Sequence, residues 1–228
     1  MDDKAASAVH TQILKGLVEN GYAPSNDDLA ALTGMPVEGI QQTLEKMEAA
    51  HGLALHPGTH DVWVIPPFSL VPTACWVEGA RGGWWAACIW CALGVCALAG
   101  GENRIHTRIA GESEELVIQA SGSGVRPSDL WVHFPIPVDR AWDNVHRYCA
   151  SNQVFRSHAD VSDWCARHGY TVGDIQPLEK VQNLARAWYG GHLDPNWRKW
   201  TLREAAEIFE AAGFTDESWS LPEGDSEF

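Results

Sequence analysis

Trp84-Trp85-Ala86-Ala87-Cys88-Ile89-Trp90-Cys91-Ala92-Leu93-Gly94-Val95-Cys96-Ala97-Leu98 is an apolar run with three cysteines and no charge. Closed by Gly100-Gly101, it predicts a buried helix over 84–99. It falls short of the roughly 20 apolar residues that a membrane span needs. On a helix, Cys88 and Cys91 stand three apart and share a face, so their sulfurs can meet one ligand. Thiolates are soft donors that select soft metals such as zinc, copper(I) or mercury(II). On spacing alone the pair fits a redox couple, half of a zinc site, or two small core residues. No second CxxC and no His-x-x-x-His pair completes a zinc site.

Upstream, Pro66-Pro67 marks a boundary, and residues 1–66 read as a winged-helix-like module. Val9, Ile13, Leu14, Leu17 and Val18 recur at helical spacing before Gly21. Ser25 caps a short helix Asp27–Thr33, and a third helix carries Val37, Ile40, Leu44 and Met47. Two strand-like runs, Leu53–His56 and Asp61–Ile65, flank Pro57-Gly58 as a wing would. The position of a recognition helix, 36–50, sets Glu38, Glu45 and Glu48 against Lys46, a face that phosphates repel.

Downstream, residues 67–228 form a mixed-sheet domain with flanking helices, so the fold class is α+β. The expected elements are a strand Phe68–Val77, a loop Gly79–Gly83 and a hairpin Arg104–Ile109 with Glu115–Gln119. Then come a strand Leu130–Ile136, a strand or strand edge over Cys149–Phe155, and helices Ala159–His168, Pro177–Trp188 and Leu202–Ala212. The acidic end, Pro222–Phe228, reads as loose.

Among 228 residues, 16 Lys and Arg oppose 30 Asp and Glu, a formal charge of −14 that disfavours nucleic acid and anionic membranes as partners. The opening Met1-Asp2-Asp3-Lys4 lacks the pattern of a secretory signal, and six cysteines are too few for a disulfide scaffold; a cytoplasmic protein is expected.

The run from Trp84 through Gly100-Gly101 to Ile105 resembles the nucleophile helix of the alkylmercury lyases, where a cysteine precedes an aspartate by three residues. Tyr148-Cys149-Ala150-Ser151-Asn152-Gln153-Val154-Phe155, followed by Trp164 and Arg167-His168-Gly169, resembles the segment with that family's second essential cysteine. The N-terminal pattern and the Trp-rich tail fit as well. The resemblance implies that Cys88 is the first mercury ligand and Cys149 the second, with Cys91 in the aspartate's place. The register that instead sets Cys91 on the first cysteine and Gly94 on the aspartate breaks the alignment through Arg104-Ile105.

The chemistry so implied is thiol-mediated protonolysis. Two thiolates on mercury load it with electron density, the carbon–mercury bond weakens, and a nearby acid protonates the carbon. A thiol, with a reference pKa of about 8.5, is a weaker acid than a carboxyl near 4. Cys91 therefore opens two further readings: a soft-metal (Hg, Cu or Zn) binding protein with a Cys88–Cys91–Cys149 site, or a relative using a cysteine nucleophile on another small organic substrate. No organic cofactor is implied, only a bound Hg(II) or other soft metal ion. The expected partners are a small organomercurial or other organic molecule and low-molecular-weight thiols. Cys75, Cys96 and Cys165 read as core, and nothing singles out His106, His133, His146 or His158. Trp85, Trp90 and Phe155 can line an apolar pocket or serve as ordinary core.

Overall fold

A computed structural model describes residues 3–228; the opening Met1-Asp2 lies outside the described residues. Three helices come first, α1 (Asp3–Asn20), α2 (Asn26–Thr33) and α3 (Val37–Ala49). Ser25 caps α2 as expected, its hydroxyl accepting from the Asp28 N–H while the Asp28 carboxylate reaches back to the Ser25 N–H. A short antiparallel pair follows, β1 (Ala54–Leu55) with β2 (Val62–Ile65), and β2 pairs across Pro66-Pro67 with β3 (Phe68–Ser69).

The sheet continues through β4 (Cys75–Gly79), β5 (Gly82–Ala86), β6 (Asn103–Arg108), β7 (Glu115–Ser121) and β8 (Gly124–Arg126). Its order is β1-β2-β3-β5-β4-β6-β7-β8. A smaller sheet places β9 (Trp131–Phe134) between β10 (Gln153–Phe155) and β11 (Asp174–Pro177). Every ladder between these strands is antiparallel, which corrects the expected mixed sheet; Ile109 and Val154 form an isolated parallel bridge. The hairpin β6–β7 is well patterned: Asn103, Ile105 and Thr107 point inward and alternate with exposed neighbours.

The apolar run divides in two. Trp84, Trp85 and Ala86 belong to β5, paired with Val77, Trp76 and Cys75 of β4, and helix α4 covers only Ile89–Ala99. Alternation explains the first half: Trp84 and Ala86 are buried, while Trp85 turns to the other face and meets Trp76 edge-on. The Trp84 indole N–H donates to the Leu17 carbonyl at 2.6 Å, fastening α1 to the sheet. The run Phe68–Val77 is likewise broken, with β3 and β4 separated by residues 70–74.

Helix α4 is buried nearly all round, against β4 and β5 on one side and α7 (Leu178–Tyr189) on another. Before α7 come α5 (Val145–Ser151) and α6 (His158–His168), and after it α8 (Leu202–Ala211). The end of the chain is pinned rather than loose. The Phe228 N–H donates to the Trp200 carbonyl at 2.9 Å, and its ring lies edge-on to Trp188. An aromatic terminus on an aromatic wall outweighs the acidic residues before it. Among the described residues, no helix is long and apolar enough to cross a membrane.

Candidate functional site

Three sulfurs gather where β5 turns into α4 and α5 packs above. Those of Cys88, Cys91 and Cys149 all lie within 4.8 Å of one another, and all three residues are buried. Cys88 is not a helical residue. It is the N-cap of α4, extended at φ −159° and ψ −175°, with its sulfur accepting the Cys91 N–H at 3.4 Å. Its carbonyl opens the helix by accepting from the Ala92 N–H at 2.7 Å. Cys149 also departs from the expected strand. It lies on α5, whose start is capped by Asn144 through its side-chain oxygen and the Arg147 N–H at 3.0 Å. The strand begins afterwards, at Gln153.

Electrostatics divide the three thiols. Burial pushes Cys88 up, but hydrogen bonds from the thiols of Cys149 and Cys91, and from the backbone N–H groups of Cys91 and Trp90, hold it well below the ordinary thiol range. For Cys91, the hydrogen bond with Cys149 acts downward. Its donation to Cys88, burial and the Cys88 charge outweigh that and leave it well above. Cys149 is raised because it donates to both other sulfurs and is buried. Of the three, Cys88 is therefore the thiol most readily ionised, with Cys91 and Cys149 as its hydrogen-bond donors.

Tyr189, at the end of α7, closes the group with its hydroxyl 3.6 Å from the Cys91 sulfur. Gly94 makes this approach possible: a Cβ there would sit 2.3 Å from Cδ2 of the Tyr189 ring. Nothing in the sequence reading marked Tyr189, which lies 98 residues from Cys91. The cluster faces a cavity of about 90 Å³ whose wall includes Trp90, Trp142, Trp188, Trp200, Tyr148 and Phe228. Trp90 thus lines an apolar pocket, whereas Trp85 packs on Trp76 and Phe155 lies in a separate small cluster with Val161 and Trp164.

Cys75, Cys96 and Cys165 are buried core residues; Cys75 contacts Thr107 and Cys165 approaches His133. None of the four histidines joins the sulfurs. His106 pairs with Glu78 at the surface, His133 accepts from the Gly173 N–H, His146 stacks on Trp63, and His158 meets Trp131 edge-on. Among the described residues, no histidine or carboxylate completes the group, so its donor set is three soft sulfurs.

The structure is thus an α+β scaffold that buries three thiols beside an aromatic cavity. Residues 68–190, more than half of the chain, match the alkylmercury lyase family (MerB), and the chain belongs to that family. The fold is similar to that in a crystal structure of the mercury-bound form of MerB2, with a TM-score of 0.63 at 17% identity over 85% of this chain and 91% of that one. No curated protein matches the sequence.

Proposed function

We propose that this chain cleaves carbon–mercury bonds, with Cys88 and Cys149 as the mercury ligands and Cys91 in the place of the family's aspartate. The observation that carries the reading is the meeting of three buried sulfurs beside an aromatic cavity, with the Cys88 thiol held below the ordinary range by its neighbours. The Cys88 thiolate takes the mercury of R–Hg⁺, and the Cys149 sulfur adds as the second ligand. The proton that Cys149 gives up passes through Cys91 to the carbon, so that R–H leaves and Hg(II) remains on Cys88 and Cys149. Tyr189 acts as a positioning residue that fixes the Cys91 thiol. Burial of the cluster excludes water and strengthens each of these interactions.

One observation favours a second reading, soft-metal binding. A third sulfur where the family carries a carboxylate raises affinity for Hg(II) and slows its release. A third reading, a cysteine nucleophile acting on another small organic molecule, rests on the lowered Cys88 thiol alone.

The N-terminal residues 1–66 are read as a winged-helix-like module, supported by three helices followed by a short antiparallel pair. Its acidic third helix argues against nucleic acid as a partner. A cytoplasmic location fits the family chemistry, in which reduced low-molecular-weight thiols carry mercury away.

Fully reduced protein given methylmercury and excess thiol tests the activity. Methane release that is lost in both Cys88→Ser and Cys149→Ser supports the lyase. Stoichiometric mercury retention without methane supports the binding protein, and neither result leaves the third reading.

A further inference from the structure

The cysteine cluster stands between two cavities of different character. The aromatic one, described above, is lined by all three cysteines. A second cavity, of about 290 Å³, reaches Cys88 and Cys149 but not Cys91. Its wall carries Ser69, Thr73, Thr107, His146, Asn152 and the further thiol Cys75. No Lys, Arg, Asp or Glu lines it.

The Asn152 amide is buried beside the Tyr148 hydroxyl, so the polar character of the cavity comes from the residues around it. The volume lies near the lower end of small-molecule sites, roughly 300–1,000 Å³. A wall with hydroxyls, two side-chain amides, an imidazole and a soft sulfur but no full charge suits a small polar thiol, of the size of a free amino acid.

We infer that the second cavity is the docking site for the thiol that removes Hg(II), while the aromatic cavity holds the organic group. This inference rests on the reading of Cys88 and Cys149 as mercury ligands. Those are the two cysteines that line both cavities. An incoming R–SH places its sulfur on mercury and passes its proton to the departing cysteine sulfur. A second R–SH repeats the exchange. Mercury leaves as Hg(SR)₂, Cys149 regains its proton, the second proton passes to solvent as Cys88 returns to its thiolate, and no electrons change hands. With the two routes on different sides of the cluster, product removal does not wait for the organic side to clear.

The rim offers a test that leaves the sulfurs alone. Ala74, between β3 and β4, and Ala150, on α5, are exposed residues that line the second cavity. Ala74→Trp and Ala150→Trp narrow its mouth from two separate elements, so either variant serves if the other fails to fold. Each protein is loaded with one equivalent of Hg(II), mixed with L-cysteine, and followed by the loss of thiolate–mercury charge-transfer absorbance.

The inference expects stripping to slow by about tenfold or more, because exchange rates follow access to the attacked centre. It expects the hydrocarbon burst from one equivalent of phenylmercury to stay unchanged. Unslowed stripping by L-cysteine in a folded rim variant overturns the docking site while leaving the mercury reading in place, and so does an equal slowing of both steps. A parent protein that retains no Hg(II) overturns the mercury reading and the docking site together.

Discussion

The backbone N–H of Cys91 points at the Cys88 sulfur from 3.4 Å, so helix α4 starts on a sulfur where most helices start on a hydroxyl or carboxylate oxygen. The positive end of a helix favours an anion there. The same backbone geometry that begins the helix thus prepares its first sulfur to take a soft cation. The neighbouring thiols of Cys91 and Cys149 complete the support.

Cys91→Asp tests what the third sulfur does. A carboxyl is the stronger acid and the harder ligand, so the variant is expected to release methane from methylmercury at least about tenfold faster, within the range that a positioned acid contributes. It is also expected to surrender Hg(II) to thiol more readily. Single-turnover headspace measurement and a mercury-retention assay on the same preparation read both effects. A parent and variant equally without methane turn attention to other thiol chemistry.

Gly94 and Tyr189 form a packed pair with a separable chemical part. Gly94→Ala drives a methyl group into the Tyr189 ring and is expected to cost about 1–3 kcal/mol of stability, as overpacking does. Tyr189→Phe keeps the ring and removes only the hydroxyl beside Cys91. Its expected signature is a fall in the protonolysis step of about threefold to tenfold, with a change in stability under about 1.5 kcal/mol, the scale of a single hydrogen bond. Urea denaturation and single-turnover rates distinguish the two variants.

Phe228→Ala tests the pinned end of the chain. The ring is half-buried against Trp188 and Phe209, so its loss is expected to cost about 1–2 kcal/mol, less than the 3–5 typical of a fully buried phenylalanine. A lower urea midpoint at unchanged slope is the expected result. An unaltered midpoint would show that the tail contributes nothing to the fold.

Acid stability follows from imidazoles buried in neutral form. Burial lowers His133 from 6.5 to about 4 and His192 from 6.5 to about 3. Between each folded and unfolded value, the unfolded chain binds more protons, so stability rises with pH in that window. The protein is therefore expected to lose stability as pH falls from about 6.5 to 4 through His133, and on toward 3 through His192. His192→Phe should weaken that dependence, most visibly below pH 4, where His133 has largely titrated. Urea midpoints measured across the range provide the check.

Most of the architecture was legible because its periodicities are strong. Helices α1–α3 and α6–α8 and the hairpin β6–β7 lie where their spacing and caps place them. The run at 84–99 was harder because a strand buried on one face and a helix buried all round both read as unbroken apolar sequence. Cysteine is also outside the usual N-cap set, which hid the helix start at Cys88. For Cys149, the helix signal was present in Asn144, three residues before the N–H that it caps. The three candidate sulfurs are neighbours in space, as the family resemblance implied. Tyr189 and Phe228 escaped because only tertiary packing brings them near the cysteines.

The aromatic cavity takes His10 from α1 and Phe228 from a segment 218 residues later in the sequence. Its wall is complete only when both have packed onto the same core, so the shelter of the three thiols depends on cooperative folding of both segments rather than of either alone.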